Sequence, residues 1–164
     1  MKTKLLGFVC AAALVAMPAV GVAATATTTF QVTATVLSVC TVAATNLAFG
    51  NYDASSGAPN DNSSTVTVTC SNGSAYTVAL DAGTGSGATV AVRRMTNGGN
   101  TLDYSMYTTA GRVTVWGDGT LSTVTQAGTG NGAGQGFTVY GRIPTGQFVT
   151  AGNYSDTVTA TVTY

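Results

Sequence analysis

Tyr154-Ser155-Asp156-Thr157-Val158-Thr159-Ala160-Thr161-Val162-Thr163-Tyr164 is the stretch that decides the fold. Successive side chains of a strand point to opposite faces. Tyr154, Asp156, Val158, Ala160, Val162 and Tyr164 therefore share one face, and Ser155, Thr157, Thr159, Thr161 and Thr163 share the other. From Val158 onward one face is apolar and the other polar. The spacing predicts an amphipathic β-strand, and the sequence stops on it.

The same period of two recurs upstream. Val66, Val68 and Cys70 alternate with Thr65, Thr67 and Thr69. Tyr76, Val78 and Leu80 alternate with Thr77, Ala79 and Asp81, and Leu102, Tyr104 and Met106 with Asp103, Ser105 and Tyr107. Phe137, Val139, Gly141 and Ile143 alternate with Thr138, Tyr140 and Arg142. Turn residues punctuate these runs at Ser71-Asn72-Gly73-Ser74, Asn97-Gly98-Gly99-Asn100, Asp118-Gly119 and Pro144-Thr145-Gly146. No stretch beyond the first residues carries helical periodicity with caps. Short alternating strands with frequent turns predict an antiparallel β-sandwich.

The front of the chain divides in two. Met1-Lys2-Thr3-Lys4 is basic, Leu5 to Val20 is apolar, and Val22-Ala23-Ala24 supplies small residues. This is the pattern of a secretory signal peptide, cleaved after Ala24 or Ala26, and its apolar run is too short and Ala-rich to favour a membrane span. Beyond it, Phe30, Val32, Ala34 and Val36 alternate with Gln31, Thr33 and Thr35. The phase slips at Val36-Leu37, and a period-two pattern cannot keep one face across such a slip. Residues 25–36 therefore read as one strand, and Leu37 begins something else.

Cleavage leaves about 140 residues, enough for one domain with a real core. Both lysines leave with the leader, so Arg93, Arg94, Arg112 and Arg142 face six aspartates, a net charge of −2. That charge offers no footprint for nucleic acid or anionic lipid. Cys40 and Cys70 remain, and in an exported chain the pair reads as a disulfide. Closing a loop of about 30 residues stabilises a fold by roughly 3–4 kcal/mol in the chain-entropy account.

Catalytic and metal chemistries find little support. The chain has no histidine, and without lysine its serines lack a base. Zinc lacks its usual ligands. Glycine recurs at every second position from Gly128 to Gly136, but no phosphate-loop spacing is present, and a flexible hairpin loop is expected. Asp53 and Asp61 do not match a calcium-loop spacing. Nothing brings together two of Asp103, Asp118 and Asp156 as an acid pair. Trp116 with Tyr104, Tyr107 and Tyr140 could form a sugar-binding face, but packing is the better reading of such large side chains.

The chain resembles spore coat protein U domains, relatives of the major pilins of archaic chaperone–usher pili. The resemblance rests on Phe30 to Val36 leading to Cys40-Thr41-Val42, on Asn46 to Tyr52, and on Val66 to Cys70. It continues through Leu102 to Tyr107, Arg112 to Gly119, Thr138 to Pro144, and Gly152 to Tyr164. It implies an incomplete immunoglobulin-like antiparallel β-sandwich, all-β, completed by a donor strand. Residues 1–24 would be the signal peptide, 25–36 the N-terminal donor extension and 37–164 the sandwich. A periplasmic chaperone would first fill the groove left by the missing strand, at an outer-membrane usher the next subunit would replace it, and the polymer would reach the cell surface as a pilus-like fibre or coat serving adhesion and biofilm formation. Phe30, Val32, Ala34 and Val36 would be the donor side chains. Val158, Val162 and Tyr164 would lie along the chaperone and acceptor edge, with the Tyr164 carboxylate as an anchor. Burying the donor side chains would contribute roughly 5–8 kcal/mol before ordering costs, and each added ladder hydrogen bond about 1 kcal/mol. No enzyme activity, cofactor or metal is implied. The alternative is a monomeric secreted carbohydrate-binding adhesin module with a closed sandwich.

Overall fold

The computed structural model describes residues 21–164. The signal-peptide reading of residues 1–24 lies outside the described residues except for residues 21–24. Val36–Tyr164 forms one compact unit, and the described residues before it, 21–35, are separate from it in the chain's division.

Eight strands form among the described residues: β1 (Cys40–Ala44), β2 (Asn60–Cys70), β3 (Ala75–Leu80), β4 (Arg93–Asn97), β5 (Asn100–Tyr107), β6 (Gln126–Thr129), β7 (Gly134–Ile143) and β8 (Ala160–Thr163). They make a five-stranded sheet, β1-β2-β7-β5-β4, and a three-stranded sheet, β6-β3-β8. Every pairing between these strands is antiparallel. The alternation read from the sequence sets the core. Val66, Val68, Tyr76, Val78, Leu80, Leu102, Tyr104, Met106, Val139 and Ile143 are buried, while their threonine neighbours on β2 are half-buried. Trp116 fills the centre at 0% exposure, and its indole Nε1 donates to the Val78 carbonyl at 3.0 Å. That bond satisfies the one polar atom of the largest core side chain. Cys40 and Cys70 face each other across β1 and β2 and are joined as a disulfide.

Three expectations need correction. Tyr154–Tyr164 does not pair along its whole length, because the ladder with β3 covers only Ala160–Thr163. The side chains nevertheless alternate half-buried and exposed from Tyr154 to Thr163. The Gly128–Gly136 stretch is not a hairpin loop. Gly128 and Thr129 pair with β3 in one sheet, while Gly134 and Gly136 pair with β2 in the other, so the chain crosses between layers. A Cβ on Gly130 would strike the Ser71 carbonyl, so glycine lets the crossing pass close over the end of β2. Residues 25–36 form no strand, and their backbone has no ladder partner among the described residues. An amphipathic β-segment becomes a strand only when another edge takes up its N–H and C=O groups.

Candidate functional site

The core is open along one side. Two stretches of chain run beside each other as rims, residues 44–54 following β1 and residues 147–160 leading into β8. Between them lie two cavities of about 540 and 780 Å³ that share Leu47, Ala48, Phe49, Met95 and Tyr154 and so form one groove. The floor of the first is the core itself: Val66, Leu80, Met95, Tyr104, Met106 and Val139. Leu47, Phe49, Tyr154, Val158 and Ala160 are packed on that core yet stay only partly buried. Each would gain from a further apolar layer.

The two rims are built differently. The first is tied outward to β2: the Thr45 N–H donates to the Thr65 carbonyl at 2.9 Å. The Asn62 side-chain amide donates to the Ala48 carbonyl, and that of Asn60 to the Asn51 carbonyl at 2.8 Å. The second rim is held by carboxylates. Asp81 Oδ1 accepts from the N–H groups of Thr159 (2.8 Å) and Gly83 (3.0 Å), and the Asp81 N–H returns a bond to the Thr159 carbonyl at 3.0 Å. Asp156 Oδ1 accepts from the Thr84 N–H (2.7 Å), the Thr84 hydroxyl (3.0 Å) and the Thr157 N–H (2.7 Å). Its Oδ2 accepts from the Tyr104 hydroxyl at 2.8 Å. Val158 makes no backbone hydrogen bond among the described residues.

Charge is arranged behind this rim. Arg93 is 0% exposed, and its guanidinium donates to the carbonyls of Asp81 (2.7 Å), Leu80 (3.1 Å) and Trp116 (3.0 Å), leaving Nη1 unpaired. Burial pushes its pKa below the ordinary value, against the pull of Tyr104, Asp81 and Asp156. Burial and the bond to Asp156 push the Tyr104 phenol well above its ordinary value, so it stays a donor. Burial alone would raise the Asp81 carboxyl, but the Thr159 and Gly83 bonds and the Arg93 charge outweigh it and hold Asp81 low.

The outer edge of the larger sheet is closed. The loop between β3 and β4 lies against β4 so closely that a Cβ on Gly85 would strike the Arg94 carbonyl. Thr96 and Ser155 exchange backbone bonds of 2.8 and 3.1 Å on the same strand. β6 is an edge of only four residues. Covered and shortened edges resist pairing with other chains, which leaves the groove side as the accessible place to add a strand.

Of the residues singled out from sequence, Val158 lines the groove, Val162 sits in β8 opposite Val78, and Tyr164 is 59% exposed. Phe30, Val32 and Val36 are 85%, 82% and 90% exposed. The aspartates are engaged separately: Asp61 with Arg142 (2.8 Å) and Arg112 (3.2 Å), Asp103 with Arg94 (2.9 Å), and Asp118 with Thr120 (2.6 Å). The Arg142 guanidinium holds Asp61 below the usual carboxylate range. Trp116 is core, as packing demands. Sequence reading met Leu47 and Phe49 within the stretch from Asn46 to Tyr52 and weighed Asp156 as an acid, but gave none of the three a place in a groove. The alternation of Leu47 and Phe49 across Ala48 was the available signal.

The geometry defines an immunoglobulin-like sandwich whose core is open between the segment that follows its first strand and the segment that leads into its last. Residues 26–161 match the Spore Coat Protein U domain, and the chain belongs to that family. Its fold is similar to a chain in the crystal structure of the CsuC–CsuE chaperone–tip adhesion subunit pre-assembly complex from archaic chaperone–usher Csu pili of Acinetobacter baumannii. The TM-score is 0.57 at 24% identity, over 79% of this chain and 40% of that one. No curated protein sequence matches this chain.

Proposed function

We propose that the chain is a structural subunit of an extracellular surface polymer, a pilus-like fibre or coat, assembled by chaperone–usher donor-strand exchange. The observation that carries this reading is the groove, in which Val66, Leu80, Tyr104, Met106 and Val139 of the core form the floor between two rims. A neighbouring subunit's residues 25–36 would supply the missing strand, with Phe30, Val32, Ala34 and Val36 facing inward. Main-chain bonds along a sheet edge give such a joint affinity, and alternate side chains give it specificity. Residues 1–24 would direct the chain to the periplasm and be removed. A periplasmic chaperone would cover the groove along Val158, Val162 and Tyr164 until an outer-membrane usher passes the subunit into the polymer at the cell surface. The Csu structure, with a chaperone and a tip adhesion subunit in one complex, supports this choice of partners. The work is mechanical, in adhesion and biofilm formation, with no catalytic step.

Thermal unfolding of two oxidised proteins tests it. One is residues 25–164. The other carries residues 25–38 behind Tyr164 through a short flexible linker. The rearranged protein is expected to be monomeric and to melt about 10 °C or more higher, because the moved side chains fill its own groove. A lower melting point, with the native order giving a stable monomer, would mean that the front segment already belongs to its own domain.

A further inference from the structure

The two rims offer an incoming strand different things. The carbonyls of Ala48 and Asn51 on the first are already taken by Asn62 and Asn60. On the second, Val158 has its backbone free among the described residues, and Tyr154, Asp156, Val158 and Ala160 present alternate side chains to the groove. The second rim offers the longer edge for a strand, because its side chains alternate from Tyr154 to Thr163 while those of the first alternate only from Leu47 to Phe49. Antiparallel ladders are slightly more stable per residue than parallel ones, and residues directly opposite share a face.

Side-chain size then selects the register. The Asp156 carboxylate is saturated by Thr84, Thr157 and Tyr104, so its opposite position favours a side chain that is small and makes no polar demand. Ala34 is the smallest of the four donor side chains, Phe30 the largest, and Ala160 the smallest of the four rim side chains that face the groove. Resting on the reading above, we propose that the neighbour's strand runs antiparallel to residues 154–163 with Phe30 beside Ala160, Val32 beside Val158, Ala34 beside Asp156 and Val36 beside Tyr154. A slip of two puts Val32 or Val36 against the carboxylate. A slip of one turns Gln31, Thr33 and Thr35 into the core. The parallel arrangement over the same stretch sets Phe30 against Tyr154 and Val32 against Asp156, and shifting it until Ala34 meets Asp156 carries Phe30 past Tyr154 and out of the alternating stretch.

This direction fixes where the strand leaves. Past Val36 the neighbour's chain emerges beyond Tyr154, at the end of the groove lined by Phe148. Phe148 is 81% exposed on a loop that is pinned on both sides. The Tyr52 hydroxyl donates to the Pro144 carbonyl (2.8 Å) and accepts from the Gln147 N–H (2.9 Å), and the Gln147 side chain is bonded to Asp103. Leu37 and Val39, directly after the donor segment, are 75% and 57% exposed. The joint brings the neighbour's Leu37 onto Phe148 and covers both.

Cysteine pairs in the full-length secreted chain test the register after mild oxidation of its polymer. Val32→Cys with Val158→Cys, and Val36→Cys with Tyr154→Cys, are expected to give ladders on non-reducing denaturing gels, several-fold stronger than the slipped pairs. If Phe30→Cys or Ala34→Cys cross-links better with Val158→Cys, the register is wrong. If Val36→Cys cross-links with Ala160→Cys, the direction is wrong. A cross-linked monomer places the chain's own segment in the groove and overturns the assignment to a neighbour. If the unsubstituted chain forms no polymer, the proposal falls with the reading beneath it. Phe148→Ala is expected to assemble but to dissociate at a lower temperature, and an unchanged dissociation temperature refutes the exit contact.

Discussion

Replacing Gln147 with alanine should loosen the end of the groove, and the structure sets the size of the effect. β5 and β7 pair through Ser105↔Arg142, Met106↔Gly141 and Tyr107↔Tyr140. Continuing that register places Pro144 opposite Asp103. Proline has no N–H to give, so the ladder cannot continue through backbone alone. The Gln147 side chain takes its place: its Oε1 accepts from the Asp103 N–H at 2.8 Å and its Nε2 donates to the Asp103 carbonyl at 2.9 Å. Gln147→Ala leaves both backbone groups without a protein partner. Each unpaired buried group costs about 1–3 kcal/mol, and Asp103 is only half-buried, so the low end applies. The expected loss is about 2 kcal/mol, or roughly 6–10 °C in melting temperature for a domain of this size. Equilibrium urea unfolding followed by Trp116 fluorescence measures it. Gln147→Glu, which keeps the acceptor but replaces the donor with a charge facing a carbonyl, should be at least as damaging. A Gln147→Ala midpoint equal to that of the unsubstituted protein would refute the substitution of side chain for strand.

Three further outcomes are expected. Cys40→Ser with Cys70→Ser opens a link of sequence separation 30, and should cost about 3–4 kcal/mol, measured by urea unfolding against the oxidised protein. Arg93→Lys should destabilise by about 2–3 kcal/mol in the same assay, because one ammonium cannot reach the three carbonyls that the guanidinium fork holds. Melting temperature should also fall in acid. Asp81 and Asp61 are held below their ordinary value of 3.8, so the unfolded chain takes up their protons first as pH drops. Their contribution is full above that value and is lost as pH falls through it toward the lower folded values. Asp81→Asn should flatten this part of the profile, and an unchanged profile would show that the rim does not depend on the charge.

Strands that face the closed part of the core were legible in the sequence. β2, β3, β5 and β7 alternate buried and half-buried or exposed side chains along most of their length, and their valines, leucines and aromatics announce it. β1 and β4 were not singled out, for different reasons. β1 is half-buried at Cys40 and exposed from Thr41 to Ala44, so it lacks the apolar face that period-two reading depends on. β4 begins with two arginines, and a fully buried arginine defies a binary pattern unless its carbonyl partners are known. The rims escaped for a third reason. They are ordered by side chains that act on backbone outside their own segment, such as Asp81 on Thr159 and Asn62 on Ala48. Such bonds leave no local periodicity to read.

The way the second rim is held bears directly on what the groove can do. A segment bordering an open core would normally rely on a partner strand to stay extended, and Tyr154–Thr159 lacks one along most of its length. Asp81 and Asp156 take over that task from behind, capturing the N–H groups of Thr159 and Thr157 while Ser155 bonds to Thr96. Side chains still alternate in and out along the whole stretch, so the rim has the shape of a strand without the ladder. A strand that pairs here meets an edge already ordered, and the conformational entropy of that edge does not weaken the joint. Cutting one of these carboxylate ties should therefore weaken capture of a strand more than it lowers the melting point. Asp81→Asn, which keeps an acceptor oxygen, and Asp81→Ala, which removes it, separate charge from geometry. Binding of a synthetic peptide spanning residues 25–36, measured by fluorescence anisotropy, should be nearly kept in the first and several-fold weaker in the second. Equal affinity in both would mean that the edge is ordered by the incoming strand and not before it.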